Sequence, residues 1–250
     1  MKNIFSISEI LKTAWDITRK NILVIFGYSA AAFVSLGLLQ LVFIFVSSLG
    51  NSFFNFLGLT IVLIGNSIAT LGFYKLTFKL IDDNEAEDFD FKTIFPSWKN
   101  ISSFISITIL LGFVVSTITL IYTQLLRINT FKLFINNAVE TPYLMAALAF
   151  FAFIIFVLAV MRFMFFPCFI VDDNSSSLHS LRQSRELTYG NITHILTILL
   201  LVIGFIAVGF LCFGVGVIVT YPFTNIVLVV TYRKLVYSYG VQHNDKQIIT

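Results

Sequence analysis

The chain has 250 residues, of which 58% are hydrophobic and only 12% charged, with a formal net charge of +3. Soluble domains carry about twice that charged fraction, and no single core hides so much apolar surface. A disordered chain, a disulfide scaffold and a nucleic-acid binder are excluded, which leaves an all-α, polytopic membrane protein forming a single domain over residues 1–250.

An amphipathic segment precedes the first apolar run. Ile7, Ile10, Leu11, Ala14 and Trp15 recur at helical spacing, and Ser6 with Glu9 has the form of a capping box. Such a helix is predicted to lie in the headgroup plane, with Trp15 at the interface and Lys12 towards lipid phosphates. Six apolar stretches follow, at 22–46, 53–78, 101–126, 143–166, 192–213 and 217–235. Each reaches the length of about 20 residues that crosses a hydrocarbon core. The first continues too far for a signal-peptide core and is read as a retained span. Lys75 and Lys79 sit where they snorkel to headgroups, and Arg127 stops the third stretch. Gly214, Gly216 and Pro222 blur the start of the sixth. Cys168 and Cys212 have no metal or redox spacing and read as free thiols.

Charge sets the expected orientation. Fourteen of the 16 basic residues fall before span one, in the last residues of spans two, four and six, or in the segments that follow these ends; only Arg127 and Lys132 fall on the other side. The positive-inside rule then places both termini in the cytoplasm. The acidic residues Asp82, Asp83, Glu85, Glu87, Asp88 and Asp90 make the loop after span two locally anionic.

The segments before the odd spans resemble one another. SEILKTAWDITRKN (8–21) aligns with LHSLRQSRELTYGN (178–191), and FKTIFPSWKN (91–100) is a shorter echo in which Phe91, Ile94, Phe95 and Trp98 repeat the stripe. Asn-Ile opens all three odd spans, at Asn21, Asn100 and Asn191, and Ile81-Asp82-Asp83-Asn84 echoes Val171-Asp172-Asp173-Asn174 after even ones. The predicted unit is an interfacial helix, a span out and a span back, in a threefold internal repeat. Asn21, Asn100, Gly190 and Asn191 are its predicted structural elbows, with Gly190 supplying backbone freedom and Asn191 capping the next span.

The run Pro167-Cys-Phe-Ile-Val-Asp-Asp-Asn174, with the helix ending Glu-Leu-Thr-Tyr-Gly-Asn191, resembles a recurrent bacterial membrane motif. Together with Gly214–Pro222 and Tyr232-Arg-Lys-Leu235, it is similar to the membrane domain of glycerophosphoryl diester phosphodiesterases, over roughly residues 163–235. Arg185 stands where that motif has Trp, and His179 or Ser180 where it has Ala. The resemblance implies a multi-pass protein of the bacterial cytoplasmic (inner) membrane without the catalytic domain.

No catalytic constellation, metal spacing or cofactor loop is present in the sequence: His179, His194 and His243 have no partner at ligand spacing. Arg162 lies in an apolar run, and three readings stand open for it: snorkelling, an ion pair with Asp172, or capture of a lipid phosphate. Arg182 and Arg185 share one helical face expected to meet anionic headgroups. Asp82, Asp83, Asp172 and Asp173 are expected to cap helices, and Asn66, Ser67, Thr117, Thr119 and Asn225 to hydrogen-bond between spans. The expected function is non-enzymatic: a lipid-associated scaffold or accessory subunit. Its candidate lipid- or partner-binding residues are Arg162, Arg182, Arg185, Trp15 and Lys12, and its partners membrane lipids or other integral membrane proteins. The rival expectation is a transporter or channel for a small amphiphile or lipid.

Overall fold

The computed structural model describes residues 6–48, 50–82, 91–125, 127–128, 142–211 and 216–248. They form helices α1 (Ile7–Lys20), α2 (Ile22–Ser48), α3 (Ser52–Asp82), α4 (Trp98–Leu125), α5 (Pro142–Phe163), α6 (Phe166–Asp172), α7 (Ser177–Thr188), α8 (Ile192–Leu211) and α9 (Val217–Ile248). No strand occurs among the described residues. The acidic positions 83–90, Lys132, Cys212 and Gly214 lie outside them.

Five segments are long and apolar enough to cross a membrane: Ile22–Ser48, Ser52–Asp82, Trp98–Leu125, Ala149–Asp172 and Ile192–Leu211. The sixth expected span coincides with α9, a continuous 32-residue helix that does not meet the same criterion. Tyr221, Pro222 and Asn225 interrupt its apolar run, and Arg233 and Lys234 end it. From Val217 to Arg233 that run rises about 24 Å at 1.5 Å per residue.

The hairpin of α2 and α3 shows why the chain folds as it does. Gly50 turns it at φ +70, a left-handed conformation suited to glycine, and Asn51 Oδ1 accepts the Phe53 N–H at 2.9 Å to start α3. Gly58, Gly65 and Gly72 repeat every seven residues along α3. Phe43, Leu39 and Tyr28 of α2 lie over them, so closely that a Cβ at any of the three would collide. Small residues at a helix interface let backbones approach and dispersion contacts accumulate where lipid and side chains are equally apolar.

The core gathers at one end of the bundle. Leu71–Leu80 of α3, Met161–Ile170, Ile195–Val202 of α8 and Ile226–Leu235 of α9 supply most of the buried apolar side chains. Towards the other end Phe45, Phe53 and Phe56 are 67–70% exposed. Helices that are apolar on all faces yet unpacked over half their length are suited to a hydrocarbon surround.

The segments before the odd spans differ from expectation. α1 forms, but its stripe faces protein: Ile10 and Ala14 are fully buried in the core cluster, and Trp15 meets Phe223 of α9 edge-on at 6.1 Å. Only half of the capping box forms: the Glu9 carboxylate accepts the Ser6 backbone N–H as well as pairing with Lys234, while Ser6 makes no side-chain cap and its Oγ pairs with Ser8 Oγ at 2.7 Å. Before α4 there is only a 3-10 turn at Phe91–Ile94, because Pro96 leaves the chain without the donor a continuing helix needs. α4 starts at Trp98, so Asn100 lies inside its first turn and not at an elbow.

Candidate functional site

The charged end of the bundle is organised by three consecutive residues of α9. Tyr232 is 1% exposed, with the rings of Phe169, Phe78 and Phe165 at 5.0, 5.7 and 6.3 Å. Its hydroxyl donates to Asp172 Oδ2 at 2.9 Å. Arg233 spans two helix ends: Nη2 meets Asp82 Oδ2 at 2.5 Å, Nη1 meets Asp172 at 3.2 Å, and the guanidinium lies 4.7 Å from the centre of the Phe78 ring. Lys234 pairs with Glu9 of α1. Donation from the Lys234 ammonium, reinforced by its charge, holds the Glu9 carboxyl below the ordinary value of 4.5.

Asp82 and Asp172 are the matched aspartates of the two echoing tetrapeptides, and both terminate on one guanidinium. Asp172, the last residue of α6, does not take the expected capping role, and the residues that follow Asp82 lie outside the described ones. Asp173 does not cap α7 either: it accepts from Gln183 Nε2 at 3.0 Å, and Ser176 takes the N-cap position without a side-chain bond. Asn174, at φ +51, ends α6 in the left-handed region where asparagine is tolerated, and the Asp173 and Ser175 N–H groups both donate to the Phe169 carbonyl.

Arg162 is not the partner of Asp172. Its Nη1 is 3.5 Å from Thr188 Oγ1 and its guanidinium is 5.7 Å from the Tyr189 ring centre, so α7 covers it. The chain breaks just beyond, between α5 and α6, where Pro167 carries no N–H to bond Phe163 and its ring obstructs that carbonyl. Ser184 of α7 repairs the gap: its Oγ donates to the Arg162 carbonyl at 2.9 Å and accepts the Phe165 N–H at 3.2 Å. Ser180, Ser184, Leu187 and Thr188 form the buried face of α7, while His179, Arg182, Arg185 and Glu186 face outward. Arg182 Nε pairs with Glu186 at 2.9 Å in an exposed contact.

The elbow residues have distinct geometries. Asn21 is the single residue between α1 and α2; its backbone N–H and Nδ2 both donate to the Ile17 carbonyl at 3.1 Å. Gly190 holds φ +88 between α7 and α8. The Asn191 carbonyl accepts the Ile195 N–H at 3.1 Å, with no side-chain cap among the described residues. Asn100 is buried, with Oδ1 unpartnered. Lys12 and Trp15 are exposed on α1.

Further along the bundle, a groove of about 580 Å³ lies between α2, α3, α8 and α9. Tyr28, Ser29, Asn66, Thr70, Tyr74, Tyr221 and Asn225 set polar groups among its apolar lining residues. The predicted bonds between spans are not what the polar side chains form. Asn66, Ser67, Thr117, Thr119 and Asn225 each donate to a carbonyl one turn back on their own helix. Tyr28 does cross, donating to the Ala69 carbonyl of α3 at 2.9 Å.

Tyr232, Arg233, Ser184 and the glycine series escaped sequence reasoning as functional positions. Seven-residue glycine spacing and the aspartate echo are the sequence signals that could have found two of these features. Nothing in the sequence marks Ser184. Against models of known families, characterised proteins and solved structures, the chain finds no match.

Proposed function

We propose that this is a six-span, non-enzymatic integral membrane protein that works as a lipid-associated scaffold or accessory subunit, with α9 as its sixth span and both termini cytoplasmic. The observation that carries this reading is the division of labour along the bundle. At one end Asp82, Asp172 and Glu9 are spent on joining helices through Arg233 and Lys234. Beyond it, long apolar helices present unpacked side chains to their surroundings. Carboxylates so engaged hold helices together instead of standing free to move protons. The exposed Arg185, Lys12 and Arg182 at the charged end suit anionic headgroups. The likeness of residues 163–235 to a lipid-linked membrane domain, and a threefold repeat whose middle copy has lost its helix, belong to the same proposal.

The test is lipid retention. With Arg182→Gln and Arg185→Gln combined, yield in mild detergent is expected to hold while co-purifying anionic lipid falls several-fold. An unchanged lipid and partner complement would count against the two arginines as contacts. The groove between α2, α3, α8 and α9 favours a second reading, transport of a small amphiphile, because it places amides and phenols inside apolar helices. Flux of a solute into liposomes containing the purified protein alone would make that reading the leading one.

A further inference from the structure

We infer that the groove between α2, α3, α8 and α9 is a binding site for a lipid with an uncharged, hydroxyl-bearing head. The inference rests on the reading that bilayer lipid surrounds these helices. Phe33 and Phe210 line the groove and are 68% and 65% exposed, so its mouth opens where acyl chains would lie. Its inner wall is buried and polar: Tyr74 is 6% exposed and Asn225 8%. Asn225 sits eight residues before Arg233 on the same helix, about 12 Å from the charged end at 1.5 Å per residue. A head held there is well inside the hydrocarbon.

The chemistry of the lining selects the head. Asn66 and Asn225 each use one amide N–H on their own helix, leaving a second N–H and a carbonyl oxygen. Tyr74 and Tyr221 add hydroxyls, and Pro222, which carries no N–H, leaves the Ile218 carbonyl without its helical donor. Donors and acceptors are thus both on offer, which matches a hydroxyl that donates and accepts. Among the described residues no charged side chain lines the groove, and residues 212–215, which adjoin it in sequence, are uncharged. A phosphate placed there would lose its hydration with no cation to replace it. The volume of about 580 Å³ suits a small head with part of one chain.

Two probes that differ only by a phosphate decide the matter: a photoreactive diacylglycerol and the photoreactive phosphatidic acid with the same chains. Each is added to the full chain in nanodiscs, followed by peptide mapping. Diacylglycerol is expected to label residues 66–74 or 217–225 at least five-fold more than phosphatidic acid. Asn66→Leu with Asn225→Leu should cut that labelling at least five-fold. Ala32→Phe, which fills the groove from α2 and leaves its polar groups in place, should do the same if the double variant folds poorly. Equal labelling by both probes, labelling elsewhere only, or labelling untouched by Ala32→Phe would overturn the inference. Absence of labelling from a protein that still retains bilayer lipid would overturn it too and leave the lipid-associated reading standing. A protein that retains no lipid at all would remove both.

Discussion

Arg233 engages two of the four aspartates that were expected to cap helices. Its guanidinium is planar and always charged, and its several donors reach two carboxylates that end different helices. Asp172 is the better-buried of the two, at 20% side-chain exposure against 53% for Asp82. It also carries the Tyr232 hydrogen bond. Replacing the cation should therefore leave Asp172 half-solvated and unpaired. Arg233→Leu is expected to cost about 2–3 kcal/mol, read as a fall of several degrees in melting temperature in detergent. Asp82→Asn should cost less than about 1 kcal/mol, because an exposed pair is screened by water. Equal losses from the two variants would mean that Asp172 is not the anchor. Ser184 makes the complementary point about neutral groups. One hydroxyl satisfies both a carbonyl and an N–H freed by the break before α6, and no apolar residue of that size performs this task.

The helices are held by different forces at their two ends. α2 and α3 close on each other through Gly58, Gly65 and Gly72, a contact of shape that does not depend on charge. α1 has an apolar face as well, but its N-terminal half is also tied by Glu9 to Lys234. That tie has a definite pH dependence. The Glu9 carboxyl is held below its ordinary 4.5 in the folded state, so its contribution is fully present above 4.5 and is lost as pH falls through the lowered value. Proteolysis near α1 or solvent accessibility of Ile10 is expected to rise only below about pH 4.5, and Glu9→Gln should abolish that rise. A transition at pH 6–7 would point to a different group. α7 gives the third case: it buries two serines and a threonine beside Leu187 and leaves Leu178 72% exposed, so its inner face is mostly polar. Its inner face was chosen to meet backbone at the α5–α6 break.

At the scale of the whole molecule, the basic residues and the charged end coincide. Lys79 and Arg162 lie near the ends of α3 and α5 at this side, Arg233 lies on α9 beside Asp82 and Asp172, and Lys12, Arg182 and Arg185 lie on the short helices α1 and α7 packed there, whereas the α2–α3 turn at Asn51 lies at the opposite end of its hairpin. If that charged end faces the cytoplasm, a cysteine at Asn51 should react with an impermeant maleimide in sealed cells. One at Ser176, exposed between α6 and α7, should react only after permeabilisation. The reverse pattern would invert the proposed topology, and reaction at both sites would remove it.

Composition and hydropathy made the helical class and the long apolar segments legible, because lipid-facing helices need little beyond length and apolar side chains. The aspartate echo and the Gly190 turn could also be read directly, since each depends on residues close together in the chain. The expected sixth span is less legible: α9 is one helix, but its groove-lining Tyr221, Pro222 and Asn225 dilute the apolar signal. The middle segment holds a 3-10 turn at Phe91–Ile94, because Pro96, legible in the sequence, outweighs a short apolar stripe. The pairing of Arg233 with Asp82 and Asp172, the repair by Ser184 and the burial of the α1 stripe against α9 join positions up to 225 residues apart. A hydropathy pattern states which faces must leave water. Whether lipid or another helix receives them is decided by packing, and only the tertiary structure records that choice.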